Sequence, residues 1–287
     1  MTPVWCEPVL PGDRYADYCQ WPYDPPAPVG GKWRQVSLLW LALDAAGADP
    51  RLAAACRELR RALGGFRTVY GVKLADGRLS FEFYFYDYDR LDRSLSIPRV
   101  LSALSPFVRC ELPPVERRPY FMFSLDLDDA IVSGRAPLAE IDVYVGNPGS
   151  TVSSGICYAH RSEGLELKNF YFFFDARAER AQIADKVATS AYLDAGRDLE
   201  EILWPELRDC GVVVVANKRN RDGVYFSRIR ASQFQHFLYR AGWPAAIAGA
   251  FDAELPRFDH LLYDVGIDYA VEDGRVVITK SAFYGLL

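Results

Sequence analysis

Histidine is scarce in this chain: three occur in 287 residues, and none lies at metal-ligand spacing from a cysteine. The six cysteines (Cys6, Cys19, Cys56, Cys110, Cys157 and Cys210) stand singly, with no CxxC pair. A structural zinc is therefore not expected, and a reducing, cytoplasmic setting is. There is no run of basic residues and the net charge is −5, so neither nucleic acid nor an anionic membrane surface is an expected partner. The longest apolar stretch, "VSLLWLALDAAGA", is broken by Asp44 and falls short of a bilayer span. The opening "MTPVWCEPVLPGD" has no charged segment followed by an apolar one, so no secretory leader is expected. Nucleotide and hydrolase signatures are missing too: no GxGxxG, no P-loop lysine after "GNPGSTVSSG" (146–155) and no GxSxG elbow. That glycine-serine loop reads as a connector, and His160, His236 and His260 lack a nucleophile to serve.

What the chain does have is apolar and aromatic bulk: half its residues are apolar and 14% aromatic. That supports one large domain over 1–287, with residues 1–32, rich in Pro, Gly and Tyr, as an extended arm. Helical spacing follows at 33–46 and 51–63, with Pro50 placed to open the second helix and Gly64-Gly65 to close it. From there one theme recurs, a pair of strands around an acid-Gly turn. The pairs are 67–75 with 78–88 about Asp76-Gly77, 155–162 with 165–175 about Glu163-Gly164, 211–221 with 224–230 about Asp222-Gly223, and 263–272 with 275–285 about Asp273-Gly274. A fifth pair, 119–128 with 139–147, has a longer connection. Helical segments near 96–106, 177–204 and 232–251 separate the pairs, with Ser232 as N-cap of the last and Trp204-Pro205 as a stop.

Ten antiparallel strands in one open sheet would twist and leave two unpaired edges; closure into a barrel removes both. The expected fold is α+β: a ten-stranded antiparallel barrel of αββ repeats with the helices outside. Folding the first hairpin about Asp76-Gly77 gives an apolar face of Tyr70, Val72, Leu74, Leu79, Phe81 and Phe83, and a second face carrying Lys73, Glu82 and Tyr84. In the fifth pair Tyr120, Met122, Ser124 and Asp126 alternate with apolar residues, as do Glu140, Asp142 and Tyr144. If helices wrap the barrel, the apolar faces point outward and the polar ones into a lumen wide enough for a ligand. A two-sided sheet with one solvated face would show the same alternation.

In that order of parts the chain resembles the ABBA-type (αββα barrel) aromatic prenyltransferases, and within them the soluble enzymes that prenylate cyanobactin peptides. The likeness covers roughly residues 66–287 and rests on "GVKLADGRLSFEFYFYD", "FMFSLDLDDAIVSGRAPLAEIDVYVG", "LELKNFYFFFD", "VVVVANKRNRDGVYFSRI" and "RVVITKSAFYG". The resemblance implies transfer of a dimethylallyl or longer prenyl group from its diphosphate, with Mg²⁺ as a companion of that diphosphate. The acceptor would be a peptide or a small aromatic or guanidine compound. Such chemistry needs cations for the diphosphate, a tyrosine wall around the carbocation and a carboxylate base. The candidates are Lys73, Lys218, Lys280, Arg228 and Lys168 for the diphosphate, and Tyr84, Tyr144, Tyr158, Tyr171 and Tyr225 for the shield. Glu82, Asp142 and Glu7 are the candidate bases. Asp126 and Glu140 are placed at the acceptor, because an acidic lumen suits a guanidinium held bidentately by carboxylate. A soluble monomer is expected. Simple turn registers leave Lys218 and Lys280 on faces that are not clearly polar, with Asn217, Arg228, Asp268 and Thr279 competing for the lumen. A barrel that only binds a hydrophobic ligand, and an interaction module with a filled barrel, stay open beside the enzyme.

Overall fold

Asp76-Gly77 and Asp273-Gly274 form two-residue turns with all four residues at positive φ (49°, 70°, 48° and 72°), the geometry that matches the twist of flanking strands. The computed structural model describes residues 3–88, 93–147 and 153–287. Its strands are β1 (Thr68–Ala75), β2 (Arg78–Tyr86), β3 (Tyr120–Leu127), β4 (Ile141–Gly146), β5 (Ser154–Arg161), β6 (Gly164–Asp175), β7 (Val212–Lys218), β8 (Asp222–Ile229), β9 (Tyr263–Glu272) and β10 (Arg275–Leu286). Each strand pairs antiparallel with its neighbours in sequence, and β1 pairs with β10, so the sheet is a closed barrel. The helices α1 (Ser37–Ala45), α2 (Pro50–Leu63), α3 (Ile97–Leu104), α4 (Asp129–Val132), α5 (Arg180–Ala188), α6 (Ala231–Arg240) and α7 (Ala245–Phe258) lie outside it. The fold is the αββ barrel expected from the sequence.

Several boundaries move, each for a local reason. Gly164 already opens β6, so the second hairpin turns one residue earlier, at Ser162-Glu163. Asp222-Gly223 is not a turn at all: Asn217 pairs with Asp222, and the connection is 218–221. Asp222 instead closes that turn with its side chain, accepting hydrogen bonds from the Lys218 amide (3.0 Å) and Asn217 Nδ2 (2.9 Å). The helical segment expected over 177–204 shrinks to α5 and a short 3-10 turn at Leu199–Glu201; Gly196, at φ 79°, interrupts it. The segment at 232–251 is two helices, broken where Gly242 takes φ 68° ahead of Pro244. Its cap is Arg230 rather than Ser232: the Gln233 side chain reaches back to accept from the Arg230 amide at 2.8 Å. Part of the connector at 146–155, residues 148–152, lies outside the described residues.

The main core lies between the barrel's outer wall and the helices, where Val72, Phe81, Phe83, Phe123, Val215, Val265 and Phe283 meet Leu39, Leu59, Val100, Phe234 and Phe251. Phe234 is central to it, stacked on Tyr263 at 4.3 Å and edge-on to Phe251 at 4.9 Å. The lumen has small clusters of its own around Tyr225, Tyr284, Met122 and Tyr144. Polar faces therefore point inward.

Candidate functional site

Four irregularities in the strands decide which side chains reach the lumen. Between Ile278 and Lys280 the β9–β10 register slips by one residue, so Thr279 is a bulge and Lys280 sits opposite Asp268. Without the slip, the turn at Asp273-Gly274 would have put Lys280 opposite Ile267. A second slip, between Cys157 and Tyr158, leaves Lys168 as the extra residue on β6. The third makes Arg228 a bulge residue at φ 65°. The fourth separates Tyr120 from Met122, turning Tyr120 outward into the main core rather than onto the polar face expected of it.

The short hairpin connections share one end of the barrel, and there the lumen is ionic. Lys218 Nζ lies 2.5 Å from Asp268 Oδ1, and Lys280 Nζ 2.8 Å from Asp268 Oδ2. Lys218 also donates to the Tyr225 hydroxyl at 2.9 Å. Burial works against the charge of Asp268, yet the two lysines pull its carboxyl down to about 2. Burial, followed by the neighbouring Lys218, pushes Lys280 down to about 8. Lys168, Lys218 and Lys280 line a single cavity of about 310 Å³ together with Arg161, Arg219 and Arg221. Lys73 lies on the adjoining wall, bonded to Asp126 and 3.2 Å from Glu82 Oε2. Burial opposes its charge, but these two carboxylates hold it above the ordinary lysine range.

Beside the basic cavity is an acidic one of about 390 Å³, lined by Glu82, Asp126, Asp128, Glu140 and Asp142. Glu82 is saturated: besides Lys73 it accepts from Ser124 Oγ (2.6 Å) and the Tyr84 hydroxyl (2.7 Å). Burial would raise its pKa, but Lys73 and these hydroxyls draw it down to about 2. Asp142 behaves in the opposite way. Lys168 approaches both of its oxygens, at 2.9 and 2.7 Å, yet burial and the nearby Glu82 charge outweigh that pairing and push Asp142 up to about 7. Glu140 is lowered despite its burial because Lys168 (2.7 Å) and Arg161 bond to it.

Above the ionic layer runs a belt of tyrosines. Ring centroids step from Tyr84 to Tyr284 (5.8 Å), Tyr284 to Tyr225 (6.2 Å), Tyr225 to Tyr171 (6.3 Å) and Tyr171 to Tyr144 (5.9 Å). Burial holds all five hydroxyls well above their usual pKa, so they stay neutral. Two of the rings rest on glycines: a Cβ at Gly266 would lie 2.3 Å from Tyr225, and one at Gly71 3.0 Å from Tyr284. Beyond the belt an aromatic cavity of about 230 Å³ is lined by Tyr86, Phe121 and Phe173, with Tyr18 and Trp21 of the arm.

The lumen thus brings together Lys73, Lys168, Lys218, Lys280, Glu82, Asp126, Glu140, Asp142, Tyr84, Tyr144, Tyr171 and Tyr225. Three expected residues lie elsewhere. Tyr158 follows the strand alternation outward and packs against the main core. Glu7 lies among the outer helices, where Arg60 donates to both its oxygens (2.8 and 2.6 Å) and Trp40 Nε1 to one (2.7 Å). Arg228 is at the opposite end of the barrel, with Nε 2.8 Å from Asp17 Oδ2, fastening the arm. Changing Glu7 to alanine is expected to lower stability by about 1–2 kcal/mol, as a half-exposed charged pair is lost, with turnover unchanged; thermal unfolding and an activity assay check both. Tyr284 is the member that sequence reasoning missed, and Asp268 entered it only as a competitor of Lys280 for the lumen. Tyr284 stands two residues before the end of β10 in the quoted "SAFYG" and needed only the corrected register to be found.

The lumen carboxylates are engaged by lysines, and among the described residues no three or more His, Cys, Asp or Glu form a group that could hold a metal ion. Among the described residues the protein's own set therefore does not fit a resident Mg²⁺. Also among the described residues, no helix is long and apolar enough to cross a membrane. No protein-family model matches the chain, and no curated protein matches its sequence. Among solved structures it is similar to the crystal structure of AnaPT from Neosartorya fischeri, with a TM-score of 0.47 and 12% identity over 86% of this chain and 93% of that one.

Proposed function

We propose that the barrel transfers a prenyl group from an allylic diphosphate to an acceptor held beside the acidic wall. One observation carries the reading: at one end of the barrel a basic and an acidic cavity, joined by Lys168, which lines the first and pairs with Glu140 and Asp142 of the second, lie beneath a belt of five tyrosines. The donor's diphosphate would rest against Lys218 and Lys280, with Lys168 beside them and Lys73 adding charge from the adjoining wall. Heterolysis of the C1–O bond leaves the electron pair on the diphosphate, where ammonium groups neutralise the growing charge. The allylic cation faces the tyrosine rings, whose π surfaces stabilise it and whose bulk keeps water away.

Capture needs an electron-rich acceptor and a base. Asp142, at about 7, is suited to taking a proton near neutrality, whereas Glu82, at about 2 and saturated with donors, is not. The carboxylates of the acidic cavity suit a guanidine ahead of a neutral aromatic ring. Asp142 takes a proton from the guanidinium, the nitrogen lone pair attacks C1, and the product is an alkylated guanidinium. An indole or phenol ring would attack C1 directly and lose its ring proton to the same carboxylate.

The test is incubation with dimethylallyl diphosphate, with and without Mg²⁺, against arginine, tryptophan and tyrosine peptides, read by mass spectrometry. A gain of one prenyl unit on the arginine peptide is expected, and a gain on the aromatic peptides alone would correct the acceptor. No gain and no diphosphate binding, with an apolar ligand held in the aromatic cavity, would make the barrel a binding protein. Lys73→Ala is expected to abolish transfer with the circular dichroism spectrum kept; near-normal turnover would remove Lys73 from the site.

A further inference from the structure

Asp268 poses an electrostatic puzzle. Lys218 and Lys280 line the basic cavity that would receive an anion, yet they converge on a carboxylate only 2% exposed. A negative charge there should repel a diphosphate. The surrounding strands are nevertheless shaped to put it there. Lys280 faces Asp268 only because of the bulge at Thr279. Lys218 comes from β7, two strands away, and crosses β8 at Gly223, the residue paired with Asp268. A Cβ on Gly223 would fall 2.7 Å from Asp268 Oδ1 and 3.3 Å from Lys218 Nζ. A bulge and a glycine window thus serve one three-membered arrangement.

We propose that Asp268 is a positioning residue that holds Lys218 and Lys280 side by side as a two-pronged anion clamp. This rests on the reading of the lumen as a diphosphate site. The physical argument concerns two ammonium groups at close range. Left alone in a buried wall they repel, and each gains by swinging away or by losing its proton. A single carboxylate with one oxygen for each lysine removes both tendencies. The pair keeps a net positive charge, and both side chains stay ordered before the ligand arrives, so less conformational freedom is lost on binding.

The alternative is that Asp268 only opposes the incoming anion, and the two roles predict opposite results. Asp268→Asn keeps the size of the side chain and raises the net charge of the cavity by one. If simple repulsion dominates, inorganic pyrophosphate binds the variant more tightly. If Asp268 positions the lysines, pyrophosphate binds about tenfold or more weakly. The pH profile supplies a readout that a merely structural role would not move. In the wild type, affinity falls as pH rises through the Lys280 range near 8. Without the carboxylate that raises this pKa, the fall moves to lower pH.

The experiment is isothermal calorimetry with inorganic pyrophosphate from below to above pH 8, on the wild type, Asp268→Asn and Gly223→Ala. Weaker binding by Asp268→Asn with a downshifted pH limb is the expected result; equal or tighter binding, or an unmoved limb, overturns the inference. Gly223→Ala leaves every charge in place and crowds the clamp, so it too is expected to weaken binding. If Asp268→Asn does not fold by circular dichroism, this variant decides, and wild-type affinity in it refutes the clamp. Should the wild type itself bind no pyrophosphate and transfer no prenyl group, the diphosphate site fails and the clamp with it; wild-type binding beside an unaffected Asp268→Asn sinks the clamp alone.

Discussion

Replacing Asp142 with asparagine is expected to lower kcat by about two to four orders of magnitude, the usual contribution of a positioned general base. Asparagine keeps the shape of the side chain and can still meet Lys168, but it cannot take a proton. The pH profile makes the test specific. Asp142 must be ionised to act, so the wild-type rate should climb as pH rises through about 7. Lys280 must be protonated to hold the diphosphate, so the rate should fall again as pH passes about 8. A narrow bell between those limbs is the expected profile, and Asp142→Asn should remove the rising one. If the variant retained a tenth of wild-type turnover with the rising limb unchanged, the base would lie elsewhere.

A methyl group at Gly266 should also be damaging, by a different route. Its Cβ would overlap the Tyr225 ring, 2.3 Å from Cδ1 and 2.6 Å from Cε1, so the ring must leave its place in the belt. Tyr225 links Tyr171 to Tyr284, and its hydroxyl accepts from Lys218; displacing it opens the wall and loosens a lysine together. Gly266→Ala is expected to cut prenyl transfer by about tenfold to a hundredfold, corresponding to about 1.4–2.8 kcal/mol, and to cost about 1–3 kcal/mol of stability through overpacking. The more telling readout is partition. Water should capture a larger share of the cation, so the ratio of free prenyl alcohol to alkylated acceptor rises, as measured by chromatography. An unchanged ratio would mean that the belt does not exclude water.

The fold was legible because its cues are local. Asp76-Gly77 fixed both the turn and the register of the first hairpin, so Lys73, Glu82 and Tyr84 fell on one face from sequence alone. Alternation in β3 and β4 likewise placed Ser124, Asp126, Asp142 and Tyr144. What the sequence concealed was any place where the count of two breaks inside a strand. Lys280 needed the bulge at Thr279, and Lys218 needed a turn at 218–221 instead of Asp222-Gly223. Neither is announced by proline or by a conspicuous glycine, because Gly223 is a strand residue chosen for the space above it. Glu7 and Arg228 were misplaced for another reason. Their partners Arg60 and Asp17 are distant in sequence, and side-chain pairing across such gaps has no periodic trace.

Thr279 also divides its hairpin into two lengths that count parity separately. Lengthening or trimming the hairpin beyond it, toward residues 273 and 274, can change the rim of the barrel while leaving unaltered which way the next side chains point. Were the bulge ironed out with Thr279 kept, opposite Asp268, inside would exchange for outside along the rest of the strand, turning Ser281 and Phe283 into the lumen and Lys280, Ala282 and Tyr284 against the helices. The barrel's mouth is therefore open to variation in a way that this one interior position is not.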